Sequence, residues 1–495
     1  MDSPTSERRL SKTRYIQGLQ CHKQLWWRVH EPDALELIPN LEARSRFEEG
    51  HRVGDRARRT LGGGLMIPGT YDDLEARVHA TRDAIEAGSR RLYEAAFMAN
   101  GTYVAVDVLD READDWVLIE VKATTRPRLH HLQDAAVQTW VLRESGISVK
   151  RVEIMRLDPE CVHPHLDRLF ARDDVTAGVE ELLPEIPAAL EAQKRILDGP
   201  LPDVPIGPHC TNPYSCPFMR RCWAGLPPHH VTTLHRAGAL AFELAAAGFH
   251  TVADIDQVPE GMELDPAALR QIRAVRESRI IVEPGLAEAL RIFEPPLAYL
   301  DFETVSPAIP VWPGTHPFEA TPVQFSCRTE RGGSFEEIGW LATEGEDPRR
   351  ELAGHLIDAC RGARSIVAYH AEFEAEVIAS LEEAVPERAA ELAEIRERLR
   401  DPLPILRQFV YHPAFHGRFG LKAVAPALAQ DVRYSGIVAA GRLAGVLLSR
   451  LILQGEPSDF FDRERIREAL RRYCALDTFA TQRVVERLRE LSSVS

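Results

Sequence analysis

No stretch of about 20 apolar residues occurs in this 495-residue chain, so no membrane-spanning helix is expected. The polar Met1–Leu10 segment has no secretory-signal pattern, and both absences point to a cytoplasmic protein with no membrane partner. Positive charge is also in deficit: 60 Lys and Arg stand against 75 Asp and Glu, a net charge of −15. That balance counts against nonspecific nucleic-acid binding, which depends on neutralising phosphates. The deficit is uneven, because Arg8, Arg9, Lys12, Arg14, Lys23 and Arg28 stand in a stretch, residues 8–30, with no acid. No long internal repeat is present. The C-x2-C knuckle common in zinc sites is missing too, although three of the eight cysteines crowd into residues 210–222. In a cytosolic chain such crowding points to metal ligation before disulfides.

The length is too great for one ordinary core and predicts roughly two or three domains. Residues Tyr103–Lys122 read YVAVDVLDREADDWVLIEVK, two apolar-rich runs around an Asp-rich turn, which predicts a β-hairpin. Residues two apart on a strand share a face, so Glu120 and Lys122 project together and Asp107 meets them across the hairpin. Two carboxylates suit a hard cation such as Mg²⁺, and a lysine beside them can orient or deprotonate an attacking water. Around this hairpin the pattern predicts helices over 10–29, with Ser11 as N-cap, over 41–61, carrying His51, and over 71–87. It further predicts strands over 92–98 and 149–157, the first joined to the hairpin by Asn100-Gly101. A helix over 132–142 carries Gln138. Residues 175–199 read as helical, with Pro184 and Pro187 as interruptions.

Cys210-x5-Cys216-x5-Cys222 lies in a loop rich in Pro, Asn and Ser. Three thiolates leave a fourth ligand to be found, and Cys21 can supply it from upstream. A four-cysteine site can hold a [4Fe–4S] cluster or, less favoured by the spacing, zinc. In that order, His51, Asp107, Glu120-Val121-Lys122 and Gln138, bracketed by Cys21 and Cys210/Cys216/Cys222, resemble the RecB-type PD-(D/E)XK nucleases. The likeness is closest to the iron–sulfur subgroup with the AddB nuclease domain and the CRISPR-associated RecB-like exonucleases. It spans about residues 8–225. It implies a restriction-endonuclease-like fold, metal ligation by His51, Asp107 and Glu120, and catalytic roles for Lys122 and Gln138. Leu142 stands where the glutamine motif usually carries an aromatic residue. Lys12, Arg14 and Lys23, on the basic first helix, are expected to touch nucleic acid.

A Pro- and His-containing break over 225–230 suggests a boundary, giving a first domain of 1–228 and a helical segment of 229–290. The latter reads either as a helix–hairpin–helix-like unit that meets a phosphate backbone or as a spacer. A third domain, 291–495, opens on LAYLDFET, a buried strand emerging into Asp301-x-Glu303. Strands over 323–329 and 334–341, a helix, a strand over 365–370 and further helices follow. The last helix, 464–491, carries Tyr473 and Asp477 four apart on one face. Three meandering strands followed by helix, strand and helix predict a sheet with helices on both sides.

Asp301, Glu303, the H-x-x-F-E stretch ending at Glu374, and Y-x3-D at Tyr473 and Asp477 resemble the DnaQ-like DEDD exonucleases of the tyrosine type. The likeness implies a ribonuclease-H-like α/β/α domain in which Asp301, Glu303, Glu374 and Asp477 hold Mg²⁺ or Mn²⁺ and Tyr473 positions a water. Glu374 stands where that family supplies Asp, and Asp401 is a conceivable substitute. Taken together, the expectation is a multidomain α/β nuclease cutting DNA, with RNA an open alternative, in repair or defence. The competing reading is a nucleic-acid-binding or assembly factor with one or both sites inactive. Cys327, Cys360 and Cys474 read as core residues.

Overall fold

The computed structural model describes residues 10–70, 73–438, 441–454 and 462–493. Arg8, Arg9 and the expected start of a helix at residue 71 lie outside them. The chain is a mixed α/β protein that divides into two compact units.

The first unit comprises its described residues up to Ala224 together with Pro307–Phe318. In chain order it contains β1 (Leu10–Ser11), α1 (Lys12–Gln20), α2 (His22–His30), α3 (Leu41–Leu61), β2 (Leu65–Met66) and α4 (Leu74–Glu86). Then come β3 (Arg91–Ala99), β4 (Thr102–Glu112), β5 (Asp115–Lys122), α5 (Leu129–Glu144), β6 (Val149–Leu157) and β7 (Phe170–Asp174). It ends with α6 (Thr176–Leu182), α7 (Ile186–Asp198) and α8 (Met219–Trp223). The sheet runs β2-β3-β4-β5-β6-β7, with β1 also paired to β4. β3, β4 and β5 are an antiparallel meander, whereas β6 lies parallel to β5 and is reached through α5. Asn100 and Gly101 both take positive φ in the two-residue turn between β3 and β4, the backbone that an Asn-Gly turn accommodates.

The expected single helix over 10–29 is instead two. Cys21 has extended backbone (φ −164°) and serves as the C-cap of α1 and the N-cap of α2. Apolar periodicity continues across this break, so the pattern conceals it. Pro187 begins α7 rather than interrupting it, because a first-turn proline forfeits only an N–H that has no helical acceptor. β7, reading FARDD, is too polar to register as a strand.

The second unit comprises Gly225–Ser306 and the described residues from Glu319 onward. The expected middle segment therefore packs as part of it. Its elements are α9 (Leu240–Ala246), α10 (Pro266–Glu277), β8 (Ile281–Val282), α11 (Leu286–Ala289), β9 (Leu297–Val305), β10 (Thr321–Arg331) and β11 (Ser334–Leu341). They continue with α12 (Arg349–Ala359), β12 (Ser365–Val367), α13 (Ala371–Ala384), α14 (Ala389–Glu397), β13 (Leu399–Arg400) and α15 (Pro402–Phe409). The last are β14 (Val410–Tyr411), α16 (Leu421–Leu428), α17 (Gly441–Ser449) and α18 (Arg463–Ser492). The main sheet runs β11-β10-β9-β12-β13, antiparallel through β9, β10 and β11 and parallel from β9 to β12 and β13. Along β9 the side chains alternate, as strand geometry requires. Leu297 and Tyr299 join the core with α15, α16 and α18, while Ala298, Leu300 and Phe302 join the core with α12, α13 and α14. Helices thus line both faces. β8 pairs with β14 through Ile281–Tyr411 and Val282–Val410, which ties the middle segment into this unit.

Candidate functional site

Asp301 and Glu303 leave β9 on the face covered by α18, where Tyr473 and Asp477 lie one turn apart. Among the described residues, Asp301, Glu303 and Asp477 form a three-donor group with ligand atoms all within 4.8 Å of one another. Burial and the neighbouring carboxylates push Asp301 far above the carboxylate range. Burial and the Asp477 charge raise Glu303 to about 8, against the pull of Lys422. Burial raises Asp477 as well, opposed by hydrogen bonds from Tyr434 and Tyr473 and by Lys422. The Tyr434 hydroxyl donates to Asp477 Oδ1 at 2.6 Å. The Lys422 ammonium bonds to the Tyr473 hydroxyl and sits 4.3 Å from its ring centroid. Cys474, expected to be plain core, donates to Asp301 Oδ2 at 3.4 Å.

Glu374 lies in the first turn of α13, only 4% exposed. Its buried Oε2 has no hydrogen-bond partner, and burial raises its carboxyl to about 8, with Asp401 adding to the effect. Its charge in turn is among those that raise Asp301 and Glu303. Asp401 is a capping residue. Its Oδ1 accepts from the backbone N–H groups of His370 (3.1 Å) and Leu403 (2.8 Å), and its Oδ2 accepts from that of Ala371 (3.1 Å). These bonds give Asp401 a capping role at the start of α13 and α15.

In the first unit, Glu120 on β5 is 2% exposed. Its Oε1 accepts from Lys122 Nζ at 2.7 Å and from Lys12 Nζ at 2.9 Å, and its Oε2 accepts from Gln138 Nε2 at 2.8 Å. Lys122 also pairs with Asp134 at 2.5 Å. Burial alone would raise Glu120, but the two ammonium groups and the Gln138 hydrogen bond reverse that and hold it well below the carboxylate range. Asp107 accepts from the Val121 N–H at 2.8 Å; burial and the Glu120 charge push it up to about 7. Asp107 and the exposed His51 on α3 line a cavity of about 120 Å³ with Arg58 and Glu94, and Glu120 does not line it. Of the expected His51, Asp107 and Glu120 set, His51 and Asp107 face one cavity, and Glu120 lies close enough for its charge to raise Asp107 while lysines engage its oxygens. Lys12, expected to touch nucleic acid, joins this carboxylate cluster through its bond to Glu120. Arg14 is half-buried, and Lys23 lines the cysteine cavity beside Trp27. Asp134 and Glu94 were not singled out from the sequence, because each lies on its own element with no motif around it.

Cys21, Cys210, Cys216 and Cys222 line one cavity, with His209 and Met219 among its other walls. The extended Cys21 between α1 and α2 delivers the first sulfur. The 210–222 loop is held to α1 by Gln20 Nε2, which donates to the carbonyls of His209 (2.7 Å) and Tyr214 (2.6 Å). Burial, with the three other thiols adding to it, lifts Cys216 to about 11. A four-thiol set of this kind fits a bound metal or iron–sulfur group. Cys327 and Cys360 sit in the core of the second unit with their sulfurs 3.9 Å apart.

A family model described as a domain of unknown function (DUF2779) matches residues 298–420. The match takes in Asp301, Glu303 and Glu374 and stops short of α16 and α18. No curated protein matches the chain.

Proposed function

We propose that this chain is a metal-dependent nuclease whose principal site is Asp301, Glu303 and Asp477, with Glu374 beside them. The observation that carries this reading is the convergence of three carboxylates within 4.8 Å, Asp477 buried and Asp301 and Glu303 half-buried, each forced upward in pKa by desolvation and, for Asp301 and Glu303, by its acidic neighbours. Such a cluster is costly unless cations or protons occupy it. The unpartnered Oε2 of Glu374 is a further oxygen suited to a hard cation. Mg²⁺ or Mn²⁺ held there supplies an activated water and stabilises charge on a phosphodiester.

The surrounding residues orient that chemistry. Asp477 is steered by the Tyr434 hydroxyl, and Tyr473 presents a hydroxyl held by Lys422 where a water or the scissile phosphate is to be positioned. The sheet order, with three meandering strands followed by two parallel ones and helices on both faces, supports a ribonuclease-H-like domain. The resemblance of Asp301, Glu303, Glu374, Tyr473 and Asp477 to the DEDD exonucleases is what points to 3′-end trimming, with DNA taken before RNA.

The first unit has the β-meander, crossover helix and parallel strand expected of a PD-(D/E)XK nuclease. There Lys12, Lys122 and Gln138 bond to the Glu120 carboxylate, whose charge reaches Asp107. The four cysteines fit a [4Fe–4S] cluster that ties the α1–α2 junction to the 210–222 loop. The C-x5-C-x5-C spacing, without the C-x2-C knuckle common in zinc sites, favours the iron–sulfur cluster over zinc.

The test is digestion of end-labelled single-stranded DNA with Mn²⁺ by the intact protein, Asp301→Asn and Lys122→Ala. Asp301→Asn should abolish stepwise loss from the 3′ end, and Lys122→Ala should remove any other product. A second reading, in which the first site only binds, is favoured by the lysines engaging Glu120, and it requires Lys122→Ala to leave the product pattern intact. Absence of any metal-dependent product on DNA and on RNA refutes the proposal.

A further inference from the structure

Two cavities in the second unit meet at Gly417 and Arg418. One, of about 770 Å³, is lined by His235, Arg418, Lys422 and the N-terminal part of α16. The other, of about 540 Å³, is lined by Pro227, His229, Thr232, Thr233 and His416. No acidic residue lines either cavity, although the chain carries 75 acids against 60 bases. At one end Lys422 bonds to Tyr473 of the acidic site. In the middle the Arg418 side chain is exposed and makes no ion pair among the described residues. At the other end His229 and His416 stack with ring centroids 4.6 Å apart and planes 17° from parallel.

The two walls are fixed to each other. His235 Nδ1 lies 2.8 Å from the Gly417 carbonyl, and Gln271 bridges the His235 N–H and the Thr233 carbonyl at 2.8 and 2.9 Å. A Cβ at Gly417 would sit 1.8 Å from the Thr233 carbonyl oxygen, so backbone meets backbone there. Residues 227–235 are thus a built wall of the second unit, not a loose spacer.

We infer that these cavities form one groove that holds a single strand of DNA, with Arg418 on a phosphate, a base stacked on the His229–His416 pair, and the strand end delivered past Lys422 to Asp301, Glu303 and Asp477. The inference rests on the nuclease reading for the direction of the strand. A positive channel with ring platforms is the general design of single-strand binding, since phosphates supply the charge contact and every base has a face to stack. Burial and the His416 neighbour hold His229 below the usual histidine range, which suits it to stacking more than to charge pairing.

The experiment measures anisotropy of a fluorescent oligothymidylate in EDTA, across a salt series, for the intact chain, Arg418→Ala, Arg418→Lys and His416→Asn. Asparagine is chosen because His416 has φ +47°, a backbone that Asn tolerates. Arg418→Ala should bind about tenfold more weakly and flatten the slope of log affinity against log salt by about 0.7, the value for one phosphate contact on a single strand. Arg418→Lys should restore the slope. His416→Asn should weaken binding by about fivefold or more with the slope unchanged. Intact-like affinity and slope in both Arg418→Ala and His416→Asn would overturn the groove, and binding confined to an oligoribonucleotide would overturn its assignment to DNA. Digestion by Asp301→Asn is scored separately. Full activity there with Arg418-dependent binding overturns the placing of the principal site at Asp301 alone, and the converse pattern overturns the groove alone.

Discussion

Replacing Glu374 by glutamine should make the metal-free protein more stable near neutral pH, and the gain should depend on pH. The buried carboxyl is raised from 4.5 to about 8, so the folded state binds its proton more tightly than the unfolded chain does. A carboxyl raised in this way contributes stability that is complete below pH 4.5 and is lost as pH rises toward 8. Each pH unit inside that window costs the wild-type fold about 1.4 kcal/mol. Glutamine cannot ionise and escapes the loss, so between about pH 5 and about pH 7 the variant should gain about 3 kcal/mol on the wild type. For a unit of this size that corresponds to about 6–10 °C in melting temperature. A misfit of the amide would shift the whole difference curve without changing its slope, and the slope is therefore the quantity to read. Thermal unfolding in EDTA across that pH range gives it directly. Saturating Mn²⁺ should shrink the slope, because the ion replaces the proton as counter-charge. Parallel pH curves for wild type and Glu374→Gln in EDTA would refute the reasoning.

Two further outcomes follow from other parts of the chain. Cys21→Ala and Cys216→Ala should each lower bound iron, weaken broad visible absorption in protein purified without oxygen, and lower the melting temperature of the first unit, since ligation there is linked to folding; unchanged iron and stability would remove Cys21 from the ligand set. Gly417→Ala should destabilise the second unit by more than about 3 kcal/mol, because φ is +74° and the new Cβ meets the Thr233 carbonyl. Gly436→Ala, with φ +106° and open space around it, should cost only about 1–2 kcal/mol in the same melting assay.

What could be read from the sequence was what local pattern determines. The boundaries of α3, β6 and β11 coincide with the alternation and helical spacing of their residues. Asp301, Glu303, Tyr473 and Asp477 were legible because strand and helix periods place each pair on one face. The break at Cys21 was hidden, because the residues on either side keep a helical spacing and nothing in the pattern marks one extended residue between them. Lys422, Tyr434 and Asp134 were also hidden. Lys422 and Tyr434 reach α18 from 51 and 43 residues away and Asp134 meets Lys122 from the next element, 12 residues on, and a lone lysine, tyrosine or aspartate outside a motif carries no local signal. Lys12 was legible as basic but not as a member of the carboxylate cluster, since β1 pairs in parallel with β4 and brings the start of α1 to Glu120. That pairing involves only Leu10 and Ser11 of β1, too short a run for periodicity to declare.

The two acidic clusters solve the same electrostatic problem in opposite ways, and the difference bears on which one requires a cation. Glu120 is buried, yet two ammonium groups and an amide meet its oxygens, so its charge is compensated by the chain itself. Asp477 and Glu374 are buried and Asp301 and Glu303 half-buried, but Lys422, which pulls on Glu303 and Asp477, is shared with the Tyr473 hydroxyl. Carboxylates crowded in low dielectric either stay protonated or take up cations. Glu303 and Glu374, each raised to about 8, favour the protonated form at neutral pH, so a divalent ion taken up there would release protons. The first unit has no such store of protons at Glu120; an ion entering there competes with Lys12 and Lys122 instead. Uncompensated carboxylates are thus concentrated at β9 and α18, with Asp107 the one raised group at the hairpin of β4 and β5, and that balance is why the proposed nuclease reading takes its principal site from β9 and α18.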